Sequence, residues 1–240
     1  MRGTLAVAKR ELRSAFNSPV AYAVILGFLV FTAVWLYFVR RFFALGQADL
    51  RSYFSVMPLV FSFLAPALTM RSWAEERRMG TYELLLTLPF SELQLVLGKY
   101  LAAFALSAIA LGLTLPVPIT ASLLGSFDPG ALAGQYIGIL LVAASSTAIG
   151  IWVSSLAKNQ ISAFVAATLG LLALVLVERL SSFFGAGGVI AYFFNWLSLA
   201  YHYEPFSRGV VDTRDLAYFA AACVLFLYLS TWNLTRRKWS

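Results

Sequence analysis

With 60% hydrophobic and 12% charged side chains in 240 residues, the chain is too apolar for a soluble globular domain, which carries about 25% charged residues. Its net charge of +7 is scattered between apolar runs and builds no soluble basic face, which excludes nucleic-acid binding as the meaning of that charge. The single cysteine, Cys223, lies inside an apolar run and excludes an intrachain disulfide. An all-α polytopic membrane protein is expected, one domain over residues 1–240.

In chain order, Met1 to Asn17 is expected as an interfacial helix. Met1, Leu5, Ala8, Leu12 and Phe16 form one stripe, flanked by Arg2, Lys9 and Arg13, which can snorkel to anionic lipid headgroups. A plain orienting charge cluster would need the same residues. Pro19 ends this helix. Val20 to Val39 is an apolar run of about twenty residues, enough to cross hydrocarbon about 30 Å thick. It is too long for a signal-peptide core and no small-residue cleavage site follows, so it is expected to be retained. After a polar connection holding Arg40, Arg41, Asp49 and Arg51, Tyr53 to Met70 makes a second span, with Pro58 and Pro66 tolerated as in packed membrane helices.

The stretch Arg71 to Lys99 alone sets a dense block of both charge signs between two long apolar runs. Two short helices on the membrane surface are expected within it. Glu75, Glu76, Arg77 and Arg78 lie on the first, and Gly80 fits its C-cap. Thr81 can cap the second, with Glu83 in its first turn, where the helix dipole favours a carboxylate; Pro89 stops it. Ser91-Glu92-Leu93-Gln94 has capping-box spacing and starts a long helix. Residues 71–92 are either a solvated loop or a docking surface for a partner, and the residues alone leave both open.

Leu93 to Leu124 holds a third span, with a kink or broken end at Pro116 and Pro118 and a turn at Ser126 to Gly130. Ala131 to Leu156 is the fourth, where Gly134, Gly138 and the small run Ala143 to Ala148 permit close helix contact as ordinary packing. A short turn at Lys158 enters the fifth, Ile161 to Val177, closed by Glu178 and Arg179. Residues 181–208 are aromatic and broken by Gly185, Gly187, Gly188 and Pro205, which predicts short re-entrant helices in the exterior interface rather than a full span. Leu216 to Leu234 is the sixth span, followed by Arg236, Arg237 and Lys238. Six spans put both termini on one side. That side, with the Arg71 to Lys99 segment and Lys158, holds 12 of the Lys and Arg residues against 6 on the other, so the positive-inside rule places both termini in the cytoplasm.

No phosphate-binding loop is present: Gly98-Lys99 is followed by Tyr100 and lacks the upstream glycine, so ATP binding by that motif is not expected. No metal-ligand spacing or nucleophile elbow appears either. The only histidine is His202, and its two readings are an interfacial hydrogen-bonding group and the base of an intramembrane enzyme, with Glu204 as the nearby residue that could orient it. The span interiors lack carboxylates, which argues against a carrier driven by an ion gradient. A transport subunit powered by a partner, a non-transporting membrane scaffold or regulatory subunit that docks a cytoplasmic partner, and a His202 enzyme remain.

Pro66 to Pro89, PALTMRSWAEERRMGTYELLLTLP, followed by Leu97-Gly98-Lys99, resembles the cytoplasmic coupling segment of type 2 ABC-transporter permeases, closest to the gliding-motility and nitrous-oxide-maturation branch. The likeness continues through Thr147 to Phe164 and Tyr201 to Phe219, and so spans most of the chain. It implies that Glu75, Glu76, Arg77, Gly80, Thr81 and Glu83, with Arg78 beside them, form a peg for a groove on a separate ABC ATPase subunit, which would carry the ATP and Mg; no cofactor is expected in this chain. It also implies a second permease half of the same or a different chain, an accessory exterior subunit, alternating access in an exporter or extruder, and the bacterial inner membrane. The 181–208 region resembles a lid over the outward end of the path. Phe193, Phe194 and Trp196 are its candidate apolar plugs, with headgroup anchoring as the alternative role.

Overall fold

Ser18 and Pro19 separate the first two helices of the computed structural model, which describes residues 2–39, 50–81, 90–122, 128–181 and 188–238. Helix α1 (Arg2–Phe16) stops just before Ser18, whose hydroxyl accepts from the Val20 amide, while Pro19 occupies the first turn of α2 (Pro19–Val34), where its missing N–H is not needed. Val7 is the α1 residue buried on the bundle, and Leu5 of the expected apolar stripe stays exposed. α2 continues as a π-helical stretch, Trp35–Val39, with the Trp35 indole donating to the Ser52 carbonyl at 3.3 Å.

α3 (Arg51–Phe54), α4 (Met57–Thr69) and α5 (Arg71–Arg78) then form a nearly unbroken helical run. Pro58 stands in the first turn of α4, where its carbonyl accepts from the Ser62 hydroxyl at 3.0 Å, and Pro66 lies inside the helix. The polar helix α5 therefore prolongs the second span. It is the first of the two short helices expected here, separated from α4 by Met70 alone. The second short helix expected after it, with Glu83, falls within 82–89, outside the described residues.

α6 (Glu92–Gly112) begins with the expected capping box: Ser91 Oγ accepts from the Gln94 amide at 3.3 Å, and the Gln94 side chain accepts from the Ser91 amide at 3.2 Å. It breaks over 113–115 before α7 (Pro116–Ser122), where the two prolines placed the broken end. The 28-residue α8 (Pro129–Leu156), capped by Asp128, is the axis of the bundle. At about 1.5 Å per residue it is about 42 Å long. That exceeds the hydrocarbon thickness of about 30 Å.

Around it lie α9 (Gln160–Ser181), α10 (Val189–Leu197), α11 (Leu199–Ser207) and α12 (Thr213–Lys238). The small residues on α8 set the spacing. A Cβ on Gly150 would overlap Thr69 of α4, one on Gly138 would overlap Phe206 of α11, and one on Gly134 would come within 2.9 Å of the Gly209 backbone. Phe54, Phe61, Ile139, Leu171, Phe206 and Phe219 fill the shared core.

Among the described residues six helices are long and apolar enough to cross a membrane: Pro19–Val39, Arg51–Arg78, Glu92–Ser122, Pro129–Leu156, Gln160–Arg179 and Thr213–Arg236. Among the described residues no strand occurs, so the all-α, six-span architecture stands. α10 and α11 have nine residues each, separated at Ser198; at about 14 Å, neither can cross a bilayer. One end of the bundle gathers α1, α5, the start of α6, the α8–α9 turn and the end of α12. The other gathers α7, α10, α11 and the start of α12.

Candidate functional site

α5 carries two apolar side chains, Trp73 and Ala74, and both are fully buried. Residues three and four positions along a helix share a face, so Glu76 and Arg77 turn inward with Trp73. The Arg77 guanidinium donates to the carbonyls of Ser155, Leu156 and Ala157, at the end of α8 where carbonyls lack helical partners and the dipole favours a cation. Ser154 completes this joint. Its hydroxyl accepts from the Trp73 and Ala74 amides at 3.1 and 3.3 Å and donates to the Met70 carbonyl at 3.2 Å, holding the chain where α4 passes into α5. From α12, Asn233 Nδ2 donates to the Ser155 carbonyl and hydroxyl, both at 3.0 Å.

Glu76 enters a second cluster. Its Oε1 lies 2.7 Å from Lys99 Nζ of α6 and 3.5 Å from the Arg10 guanidinium of α1. Lys99 also reaches Glu11 Oε1 at 3.1 Å, and Arg10 donates to the same oxygen at 2.7 Å. The Lys99 side chain is only 1% exposed, and its ammonium lies 4.8 Å from the centre of the Trp73 ring. A lysine is buried this far only where such partners replace its water. Burial pushes the Glu11 carboxyl up, but Lys99 and Arg10 outweigh it and hold it below the ordinary value. Its contribution to holding α1 is therefore full above the ordinary carboxylate range and is lost as pH falls through the lowered value.

Of the residues expected on one exposed docking face, only part lies there. Glu76 and Arg77 are half-buried and turned toward α6, α1 and the end of α8. Glu75 is half-buried, 3.8 Å from the Arg71 Nε. Arg78, Gly80 and Thr81 form the exposed tip together with Met79, a residue the charge pattern did not single out, at 61% exposure. Gly80 has φ +70°, and the Gly80 and Thr81 amides bond the Arg77 and Glu76 carbonyls at 3.3 and 3.0 Å. This Schellman turn is the expected C-cap. Glu83 lies outside the described residues.

At the other end, Phe193 and Trp196 are 57% and 56% exposed and Phe194 is half-buried. The first two face outward from the single chain, so a plug made by them would close against a neighbouring surface. His202 is buried. Its Nδ1 lies 2.6 Å from Asp215 Oδ1, its Nε2 donates to the Trp196 carbonyl at 3.0 Å, and its ring stacks on Tyr218 at 3.8 Å. Both ring nitrogens are engaged by these two groups, the hydrogen-bonding role that was one of the two readings of His202. Glu204, expected as the orienting residue, instead pairs with Arg208 on the surface.

A family model described as ABC-2 family transporter protein matches residues 5–239. Among curated proteins none matches the chain.

Proposed function

The chain belongs to the ABC-2 family of transporter proteins and is a membrane permease subunit of an ABC transporter, and from that premise we propose that ATP hydrolysis on a separate cytoplasmic ATPase subunit drives its spans through the tip of α5. The observation that carries this reading is the continuity of α5 with the second span. A load on Arg78, Met79, Gly80 and Thr81 is applied to a helix whose inner face is bonded to α8 through Arg77 and Ser154, and the end of α8 is bonded in turn to α12 through Asn233.

In this reading both termini and the α5 tip face the cytoplasm, in keeping with the Lys and Arg distribution. The membrane is the bacterial inner membrane. Two such halves, identical or different, each bind one ATPase carrying ATP and Mg and alternate access to a shared path, with an accessory exterior subunit as a further partner. The direction is export or extrusion, as in the gliding-motility and nitrous-oxide-maturation branch that the coupling segment resembles. Phe193, Phe194 and Trp196 serve at the outer rim, as a plug against the second half or as a headgroup anchor.

The test is co-purification of the permease with its ATPase from native membranes. Arg78→Glu reverses the charge at the exposed tip and leaves Glu76 and Arg77 in place. Loss of the ATPase with normal membrane insertion is the expected outcome. Undiminished co-purification would overturn the assignment of the tip as the docking point.

A further inference from the structure

Two groups of helices meet at the α5 end, and they are held by different means. α1 is seated on α6: a Cβ on Gly98 would lie 2.6 Å from Val7 and one on Gly3 would lie 3.0 Å from the Gln94 side chain, so these helices touch at backbone distance. α5, the end of α8 and the end of α12 are joined separately by Arg77, Ser154 and Asn233. Between the groups the apolar contacts of Trp73, Val96 and Ile151 carry no directional preference. The directional contacts are the Arg71 guanidinium donating to the Ser18 hydroxyl at 2.8 Å, Tyr100 donating to Cys223 Sγ at 3.8 Å, and the ionic contact of Glu76. Glu76 Oε1 has one cation from α6 at 2.7 Å and a second, from α1, at 3.5 Å.

A cavity of about 410 Å³ lies beside this contact, with Arg10, Glu11, Glu75, Glu76 and Lys99 in its wall, and gives the side chains room to re-pair. Glu76 thus has two cations in reach, the nearer on α6 and the farther on α1, and a carboxylate placed so can exchange its stronger partner if the helices shift.

We propose that Lys99 and Arg10 are the two positions of a latch for Glu76: Lys99 holds the resting position, and a stroke on α5 passes the carboxylate to Arg10, shifting α1 and α6 together against α5 and α8. Lys99 is thus a positioning residue, and the interfacial helix α1 is a moving part of the coupling machinery as well as an anchor. The stroke itself rests on the ATPase-docking reading above; the two positions of the latch do not.

The test uses the full permease in lipid nanodiscs, alone and with its co-purified ATPase, in a Cys223→Ala background. Nitroxides at Ala6→Cys on α1 and Lys158→Cys in the α8–α9 turn, both exposed positions, report the distance between the two groups by pulsed electron paramagnetic resonance. In the wild type with ATPase, ATP and vanadate should shift the distance. Lys99→Met should show the shifted distance without nucleotide, in the permease alone, and no further change with ATP. Arg10→Met, at a half-exposed side chain whose loss leaves Lys99 in place, should keep the resting distance and lose the ATP response. Lys99→Arg should restore the wild-type behaviour.

Nucleotide-free distances that are equal in Lys99→Met and wild type would overturn the latch. So would a full ATP response in Arg10→Met, which remains a test if Lys99→Met does not fold. Absence of an ATPase from the wild-type preparation would instead remove the docking reading, while the nucleotide-free comparison still decides the latch.

Discussion

Asp215→Ala is expected to lower the stability of the protein by about 1–3 kcal/mol, the range for leaving one partner of a buried hydrogen bond unsatisfied. Asp215 and His202 are each 6% exposed, on α12 and α11, and the His202 ring ties them to the last turn of α10 through the Trp196 carbonyl. Without the carboxylate, Nδ1 faces a site that water enters poorly, and the stack on Tyr218 loses its lateral support. The measurement is unfolding in detergent, with hydrogen exchange to locate the loss. α10 and α11 should exchange first. Glu204→Ala is the control: its pair with Arg208 is more than half exposed, and such surface pairs contribute about 0.5 kcal/mol. Equal losses in the two variants would refute the clamp.

Gly138→Ala is expected to be the other costly change, at about 1–3 kcal/mol. The added methyl would overlap the Phe206 side chain and meet Tyr203 Cε2 at 3.0 Å, and both belong to the helix that the His202 clamp holds. α11 would have to lift from α8, carrying with it the Gln135 bond to the Ser207 carbonyl at 2.9 Å. Gly170→Ala on α9 is the matched comparison, because a Cβ there meets nothing within 4 Å. Its effect should have the opposite sign, a gain of up to about 1 kcal/mol from helix propensity. Thermal unfolding of both variants in the same detergent checks this, and destabilisation of both alike would contradict the close approach of α11 to α8.

Local chemistry made the element ends legible in the sequence. Ser91 and Gln94 cap each other, Gly80 takes the left-handed turn that its place after a polar helix suggested, and Pro116 opens a new helix. Those signals are complete within a few residues. The inward turn of Glu76 and Arg77 was not read, although its signal was present: Trp73, three and four positions earlier, is the large apolar side chain of an otherwise polar helix and fixes the buried face.

The partners of Lys99 carried no such signal, since Glu11 lies 88 residues away and reaches it only through the seating of α1 on α6. For His202, nearness in sequence pointed to Glu204. Residues two apart on a helix do not face each other, and Asp215 on the next helix takes the place instead.

The central claim is that an ATPase subunit bears on the tip of α5, and residue-specific photo-crosslinking in native membranes tests it most directly. A photoreactive amino acid at Met79, exposed on the tip, should give an adduct whose partner contains a phosphate-binding loop. The same group at Val189, 86% exposed at the opposite end, should give no such adduct. An ATPase adduct from Val189, or the absence of one from Met79 in a complex that retains its ATPase, would contradict the account.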